Sequence, residues 1–324
     1  MLSLIVPVYR NEESIPELLD VVESIHEGTD DGLEAVFVID GSPDRSYEIL
    51  REALPHRPFT SRLALLSRNF GSFAAIRAGL ERGRGDRFAV MAADLQEPPE
   101  LVLRMDEVLR ADGADVVLGV REGRADPMSS RLPAQAFWAT YRRLVIPEMP
   151  PGGVDVFACT RDFRDQLLRL DERHSSLVGQ LFWLGFRRSY VGYVRAERRH
   201  GRSAWTFRKK LGYLSDSVFS FTDLPIKLLT WIGGLFAIVL GIYGLAVAAL
   251  RLLGLIDVPG FTMLIVLVAF LGALNIFALG VVGTYAWRAY ENTKARPIHI
   301  VQREHEFGPG APETGAPETG ASQP

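Results

Sequence analysis

Two polar side chains follow an apolar run, and their types suit the binding of a divalent cation. The run Arg87 to Met91 is short and mostly apolar, as is typical of a strand buried on both faces of a parallel sheet. Asp94 and Gln96 come after it and point to the same side if the chain stays extended. Oxygens of this kind hold Mg²⁺ while water and phosphate fill its other positions. The alternative is a polar turn in which Asp94 only caps the helix predicted over Glu100–Leu109.

Other apolar runs repeat this pattern, with helical periodicity between them. The predicted strands are Leu2–Val8, Leu33–Ile39, Leu63–Leu66, Arg87–Met91, Asp115–Val120, Val154–Cys159 and Arg188–Arg195. Strands that alternate with helices predict βαβ units and a parallel sheet. Polar clusters follow the first five strands at Asn11-Glu12, Asp40–Asp44, Arg68–Ser72, Asp94–Glu97 and Arg121–Arg131. Because the carboxyl ends of parallel strands meet at one edge, these clusters predict a binding crevice.

Two uncharged segments near the C-terminus, 228–250 and 261–287, predict a membrane hairpin. Each exceeds the roughly 20 residues that cross a bilayer, and the loop 251–260 between them is short. Lys and Arg flank the outer ends, so the positive-inside rule places both termini and the crevice in the cytoplasm. Asn275 lies inside the second segment and is expected to hydrogen-bond between the two helices, with a substrate contact as the alternative.

Composition limits the remaining possibilities. The formal net charge of -3 argues against nucleic acid as a partner. Cys159 is the only cysteine, which excludes a disulfide framework and a cysteine metal site. The predicted parts are a crevice domain (1–210), an amphipathic helix (211–226), the hairpin (227–290), a C-terminal segment (291–307) and a disordered tail (308–324).

The crevice combines carboxylates with arginines. Carboxylates suit a metal ion and ribose hydroxyls, and arginines suit phosphates. The residues concerned are Asp40, Asp44, Asp94, Arg68, Arg121, Arg124 and Arg131. This mixture fits a nucleoside diphosphate held through a cation. The sequence has no Walker-type phosphate loop and no Gly-x-Gly-x-x-Gly after the first strand, so kinase, ATPase and dinucleotide-enzyme functions lose support.

A series of motifs resembles the family 2 glycosyltransferases, and within them the polyprenyl-phosphate sugar synthases related to dolichol-phosphate mannose synthase. The motifs are Val6–Glu13, Ile39–Asp44, Arg68–Gly71 and Ala92–Pro99. The stretch Arg198–Trp205, the hairpin and Arg296-Pro297 resemble bacterial members with two transmembrane helices. The match covers about residues 2 to 302, with the motifs in family order.

The resemblance implies a GT-A fold, an α/β architecture with a mostly parallel sheet and flanking helices. It implies inverting transfer of a sugar from a nucleotide-sugar, UDP-glucose or a similar UDP-sugar, to the phosphate of an undecaprenyl phosphate-like polyprenyl phosphate. It further implies Mg²⁺ or Mn²⁺, the cytoplasmic face of a bacterial inner membrane, and a homo-oligomer.

The resemblance also assigns site residues. Those implied for catalysis are Asp94, Gln96 and Asp155, and those for the metal are Asp94 and Gln96. Those implied for donor binding are Pro7, Tyr9, Asn11, Glu12, Asp40, Ser42, Asp44, Arg68, Asn69, Gly71 and Asp94. Those implied for the acceptor phosphate are Arg121, Arg131, Arg198 and Ser203. For Asp155, a structural turn is the alternative to orienting the acceptor.

The chain departs from the family pattern at Ile39 and Ala92, where carboxylates are expected. Two alternative functions therefore stay open: transfer to a hydroxyl of a polysaccharide or glycolipid, and a non-catalytic scaffold that binds a sugar nucleotide. A hydroxyl acceptor would need a carboxylate base, for which Asp155 is the candidate. A phosphate monoester has a second pKa of about 6 and is already an anionic nucleophile at neutral pH.

Overall fold

The computed structural model describes residues 1–122, 142–143, 145–150, 153–154, 156–172, 175–196, 207–254 and 260–308. The chain divides into two compact units. One unit contains Met1–Lys210 together with the chain from Pro297 onward, and the other contains Leu211–Arg296.

The first unit is built on a mixed sheet. Its strands are β1 (Leu2–Val8), β2 (Leu33–Ile39), β3 (Thr60–Leu66), β4 (Arg87–Val90), β5 (Val116–Arg121), β6 (Phe157–Thr160), β7 (Arg188–Tyr193) and β8 (Val301–Phe307). Their spatial order is β7-β5-β6-β4-β1-β2-β3-β8. The pairs β1–β2, β1–β4, β2–β3 and β5–β7 are parallel, whereas β6 runs antiparallel to β4 and β5, and β8 antiparallel to β3. The predicted mostly parallel sheet is confirmed.

Helices flank this sheet. They are α1 (Ile15–Glu27), α2 (Ser46–Ala53), α3 (Ser72–Arg82), α4 (Pro99–Arg110), α5 (Arg161–Arg169) and α6 (Leu177–Trp183). Every residue of β2 is buried, which explains why its sequence, apart from Glu34, is an apolar run rather than an alternating one. In α1 the buried residues recur at helical spacing, and they are Ile15, Leu18, Leu19, Val22 and Ile25.

Strand β8 is a feature that the sequence analysis missed. Residues 291–307 were expected to form a separate segment, but the structure pairs Val301–Phe307 with β3. Arg62 of β3 donates to Glu34 of β2 at 3.0 Å and to Glu306 of β8 at 2.9 Å. Arg84 also pairs with Glu306, at 2.8 Å. The guanidinium of Arg62 is largely buried, and its ion pairs with these carboxylates offset the cost of burying its charge. The pair with Glu306 also holds β8 in register.

The second unit contains two long apolar helices. Helix α8 spans Leu224–Leu252 and α9 spans Phe261–Thr293, after α7 (Phe207–Phe221). Both are long and apolar enough to cross a membrane, with mean hydropathy of 2.0 over Leu224–Val247 and 1.5 over Phe270–Thr293. The two predicted C-terminal apolar helices are confirmed.

The contacts inside this unit do not involve Asn275 as expected. Phe236 of α8 meets Phe270 of α9 at 5.0 Å between ring centroids, and Arg288 of α9 donates to Asp216 of α7 at 2.7 Å. Asn275 is exposed, and its side chain makes no hydrogen bond to any residue that the structure describes. The expected bond between α8 and α9 is therefore not seen among the described residues.

Candidate active site

The carboxyl ends of six strands lie at one edge of the sheet. Strands β1 to β4 all run in the same direction. Strand β5 runs in this direction too, because both β4 and β5 are antiparallel to β6. Strand β7 is parallel to β5, so its end joins the same edge. The described segments that follow these strands are 9–14, 40–45, 67–71, 91–98, 122 and 194–196.

The loops after β1 and β2 are held together by backbone-to-side-chain hydrogen bonds. The amide of Arg10 donates to Ser42 Oγ at 2.7 Å, and the amide of Glu12 donates to Asp44 Oδ2 at 3.1 Å. In return, the amide of Arg45 donates to Glu12 Oε2 at 3.0 Å. Predicted donor-binding residues on both loops thus determine the shape of the crevice.

Asp44 is committed to these loops. Partial burial opposes its ionisation, but hydrogen bonds from Ser42, Ser46 and the Glu12 amide outweigh that effect and lower the pKa of Asp44. Its Oδ2 accepts from Ser46 Oγ at 2.9 Å as well as from Glu12. Asp44 is therefore an ionised residue that organises the loop.

A cavity of about 300 Å³ lies between these two loops, lined by residues 10–14, Pro43 and Asp44. Asn11 closes the turn beside it, since its Oδ1 accepts from the Tyr9 amide at 3.1 Å. Arg10 adopts a positive φ of 57°, which residues other than glycine seldom do. Pro7, Tyr9 and Asn11 are all half-buried at the end of β1.

Asp40, at the end of β2, holds the loop after β3. It is only 3% exposed, and its two oxygens accept from the amides of Phe70 at 2.7 Å and Gly71 at 2.9 Å. Burial raises its pKa, against the opposing effect of these two amides and of Arg68. Gly41 has φ 56°, and a Cβ there would lie 2.2 Å from the Arg68 carbonyl carbon, so only glycine fits.

Arg68 and Asn69 are exposed on the loop that Asp40 holds. The guanidinium of Arg68 lies 4.1 Å from the centre of the Phe70 ring, a cation–π geometry that restrains it at the mouth of the crevice. An exposed arginine held in this way is suited to a phosphate.

Asp94 and Gln96 lie in a turn, not in an extended strand. Strand β4 ends at Val90, and Leu95 between the two residues has φ 56°. The premise that alternation places their side chains on one side is therefore wrong. Asp94 is half-buried, whereas Gln96 is 8% exposed.

Gln96 fastens the segment that follows β7. Its Oε1 accepts from Arg195 Nη2 at 2.6 Å, and its Nε2 donates to the Ala196 carbonyl at 3.2 Å. The Ala196 amide in turn donates to the Gln96 carbonyl at 3.0 Å. The oxygen that was predicted to bind a metal thus faces a guanidinium, which weakens the prediction that Gln96 is a metal ligand.

Two residues of this edge were missed from the sequence. Ser14 Oγ donates to the Ala93 carbonyl at 2.9 Å and connects the first loop to the turn around Asp94. Arg195 was predicted only as the last residue of the strand Arg188–Arg195. Nothing in the sequence shows that it meets Gln96, because the contact spans 99 positions.

Asp94 offers a divalent cation one carboxylate ligand. Within the described ranges, no group of three or more His, Cys, Asp or Glu side chains is placed to hold a metal. Mg²⁺ is commonly held by one or two carboxylates together with substrate phosphates, and Asp94 supplies one such carboxylate. Asp94 is therefore the residue here that would hold the ion.

Several predicted residues lie outside the described residues: Arg124, Arg131, Asp155, Arg198 and Ser203. Arg121 is described, and it ends β5 in a half-buried position at the same edge as Asp94. The predicted acceptor-phosphate group is thus represented at this edge by Arg121.

Residues 3–190 match the family model described as "Glycosyl transferase family 2". The chain belongs to glycosyl transferase family 2. This glycosyltransferase is 34% identical over 306 residues to "Uncharacterized glycosyltransferase YkcC" of Bacillus subtilis, covering 94% of each chain. It is 32% identical to "Prophage bactoprenol glucosyl transferase homolog" of Escherichia coli, covering 93% of this chain and 98% of that one.

A third relative carries a different sugar in its name. The glycosyltransferase is 33% identical to "Undecaprenyl-phosphate 4-deoxy-4-formamido-L-arabinose transferase" of Pseudomonas paraeruginosa, over 96% of this chain and 92% of that one. Among solved structures, the "Crystal structure of S. aureus TarS 1-349 in complex with UDP-GlcNAc" is similar, with 20% identity and a TM-score of 0.44, over 63% of this chain and 61% of that one.

Proposed function

We propose that this glycosyltransferase moves a sugar, with inversion, from UDP-glucose or a similar UDP-sugar to the phosphate of a polyprenyl phosphate such as undecaprenyl phosphate. The observation that carries the proposal is near-full-length similarity to relatives named for bactoprenol and undecaprenyl phosphate. The similarity includes the apolar C-terminal helices, which suit a lipid acceptor.

The state of the carboxylates supports a phosphate acceptor. A sugar hydroxyl needs a base to remove its proton, whereas a phosphate is already anionic. Asp40 is engaged by two backbone amides, and Asp44 by hydroxyls and amides. Both are occupied in positioning loops, so neither suits the role of a mobile base.

The positively charged groups suit the two phosphate ends of the reaction. Arg68 at the end of β3 would contact the donor diphosphate, and Arg121 at the end of β5 would contact the acceptor phosphate. Arg131, Arg198 and Ser203 are proposed for the acceptor as well, and Asp155 for orienting it. Mg²⁺ or Mn²⁺ at Asp94 would neutralise charge on the departing nucleotide.

The order of the chain supports a hairpin that enters and leaves one face of the cytoplasmic membrane. The first unit contains the residues before α7 and again the strand β8 after α9. A chain that leaves a folded unit and returns to it must cross the bilayer an even number of times. We propose that this unit lies in the cytoplasm, since Lys and Arg flank the outer helix ends.

The direct test is a donor panel with purified, reconstituted protein. Labelled UDP-glucose, other UDP-sugars and GDP-mannose are offered with undecaprenyl phosphate, with and without Mn²⁺, and labelled lipid is measured. Undecaprenol is the matched control acceptor, since it differs only in lacking the phosphate. We expect transfer to the phosphate alone and loss of transfer without the ion.

Other outcomes would replace the proposal. Transfer to undecaprenol or to a glycan hydroxyl, abolished by Asp155→Ala, would show a hydroxyl acceptor. Binding of one donor with no transfer to any acceptor would show a scaffold that only binds sugar nucleotides.

A further inference from the structure

The loop 67–71, which carries Arg68, is held at both of its ends. At its C-terminal end, Asp40 accepts hydrogen bonds from two backbone amides, at 2.7 Å and 2.9 Å. At its N-terminal end, the amide of Ser67 donates to the carbonyl of Ile300 at 2.9 Å. Arg68 lies between these two attachments, and its side chain is exposed. The residue that can reach a ligand is therefore suspended between two fixed points.

The second attachment comes from the part of the chain that follows α9. This part rejoins the first unit at Pro297 and then enters β8. The register between β3 and β8 shifts just before the loop, between Leu65 and Leu66. Irregularities of this kind redirect a strand and are frequent beside active sites. The shift brings the Ile300 carbonyl opposite the Ser67 amide.

Burial of its side chain does not explain the position of Ile300. That side chain is 51% exposed, so its packing contributes little, whereas its carbonyl accepts from Ser67. The preceding residue, His299, is held separately. Its Nε2 lies 3.2 Å from Glu81 Oε2 of α3, and its side chain is only 10% exposed. The Ile300 carbonyl is thus fixed by His299 on one side and by β8 on the other.

Strand β8 is a firm support for this contact because both of its faces are attached to the first unit. On one face, Glu304 pairs with Arg82 of α3 at 3.2 Å. On the other face, His305 Nε2 shares a hydrogen bond of 2.8 Å with the Tyr47 hydroxyl of α2. A carbonyl that directly precedes such a strand has little freedom to move.

We propose that residues 299–301 are a positioning element of the donor site: by accepting from the Ser67 amide, the Ile300 carbonyl holds Arg68 where it meets the donor diphosphate. The proposal rests on the proposed function, which gives Arg68 a diphosphate to contact. An arginine that is held in place before its ligand arrives loses less conformational entropy on binding, so the affinity rises. A segment that follows both apolar helices in the chain thereby becomes part of the donor site.

Ser67→Pro tests the contact, because proline has no amide hydrogen to donate. The preceding residue lies in β3, and extended backbone is the conformation that proline favours before it. Ser67→Ala is the matched control, since it keeps the amide and changes only an exposed side chain. Calorimetry measures the binding of UDP with Mn²⁺ to the full-length protein. We expect Ser67→Pro to weaken UDP binding about 3- to 10-fold and Ser67→Ala to bind UDP as the wild type does.

Arg68→Ala shows whether the effect passes through Arg68. If Ser67 acts by positioning Arg68, the double variant with Ser67→Pro should bind UDP no more weakly than Arg68→Ala alone. In transfer assays, Ser67→Pro should raise the KM for the UDP-sugar and leave the KM for the lipid phosphate near that of the wild type. A contact that only stabilises the fold would lower the melting temperature and produce neither result.

His299→Ala is the second variant, and it decides the question if Ser67→Pro does not fold. It removes the pair with Glu81 and loosens the residue before Ile300, while the loop itself is unchanged. We expect a loss of UDP affinity of about 2- to 5-fold. His299→Gln keeps a side-chain N–H for Glu81 and should restore most of the affinity.

The outcomes separate the two proposals. Unchanged UDP binding in folded Ser67→Pro, or losses that add to those of Arg68→Ala, would overturn the positioning role even if sugar transfer were found. If Ser67→Pro does not fold, unchanged UDP binding in His299→Ala would overturn it. Wild-type protein that binds no UDP would overturn both the proposed donor and this role. Weakened UDP binding without transfer to any lipid would uphold the role and count against the proposed acceptor.

Discussion

Asp40 and Asp94 occupy equivalent places in the fold and have different surroundings. Each follows a buried parallel strand, β2 or β4, at the carboxyl edge of the sheet. Asp40 is 3% exposed and divides its two oxygens between the amides of Phe70 and Gly71. Asp94 is half-buried, in a turn with a left-handed residue beside it.

This difference shows that an aspartate after a strand has two uses in one crevice. Asp40 shapes the loop that carries Arg68, because it accepts from the amides of Phe70 and Gly71. Asp94 is half-buried in the turn after β4 and is the carboxylate proposed to hold a cation. Substitution of Asp40 should therefore lower the stability of the protein, whereas substitution of Asp94 should lower the rate of sugar transfer.

The largest expected effect is that of Asp94→Asn. It removes the charge proposed to hold the metal but keeps the shape, so sugar transfer should fall about 100-fold or more. The melting temperature should stay near that of the wild type. Activity would be measured as labelled lipid per enzyme over a range of Mn²⁺ concentrations. Wild-type transfer by this variant would remove Asp94 from the metal site.

The fold was largely predictable because its signals are local. The apolar runs of β1 and β2 were predicted with their observed bounds, since strands buried on both faces are mostly apolar in sequence. Strand β8 was missed because its sequence, Val-Gln-Arg-Glu-His-Glu-Phe, is mostly polar. Its stability depends on ion pairs with Arg62, which lies more than 240 positions away.

The candidate site was predictable in position but not in detail. The sequence placed Asp40, Asp44, Asp94 and Gln96 at one edge, which the parallel strand order produces. It did not show which carboxylates would accept hydrogen bonds from the amides of neighbouring loops. That outcome depends on contacts such as Asp40 with Phe70, which form only when two strand ends are brought together.

Substitutions of Gln96 and Arg195 test what the contact between these two side chains contributes to sugar transfer. If Gln96 acts by holding Arg195 and the segment after it, Gln96→Ala and Arg195→Ala should each lower transfer by about fivefold. The double variant should be no worse than either single one, because both remove the same contact. Transfer would be measured at varied lipid phosphate, with the main effect expected in its KM. Multiplicative losses, or an Mn²⁺ requirement raised only by Gln96→Ala, would favour the metal role instead.

The smallest expected effect is the pH dependence of the Asp40 contribution to stability. Burial raises the folded-state pKa of Asp40 above its unfolded value of about 3.9. The folded state then binds the proton more tightly, so the stabilisation is fully present below the unfolded pKa and is lost as pH rises through the folded pKa. Asp40→Asn cannot titrate, so the wild-type unfolding free energy minus that of Asp40→Asn should decline from about pH 4 towards pH 7. Urea unfolding at several pH values measures this difference. A difference that grows with pH would mean that the amides of Phe70 and Gly71 stabilise the carboxylate more than burial destabilises it, and Asp40 would then resemble Asp44.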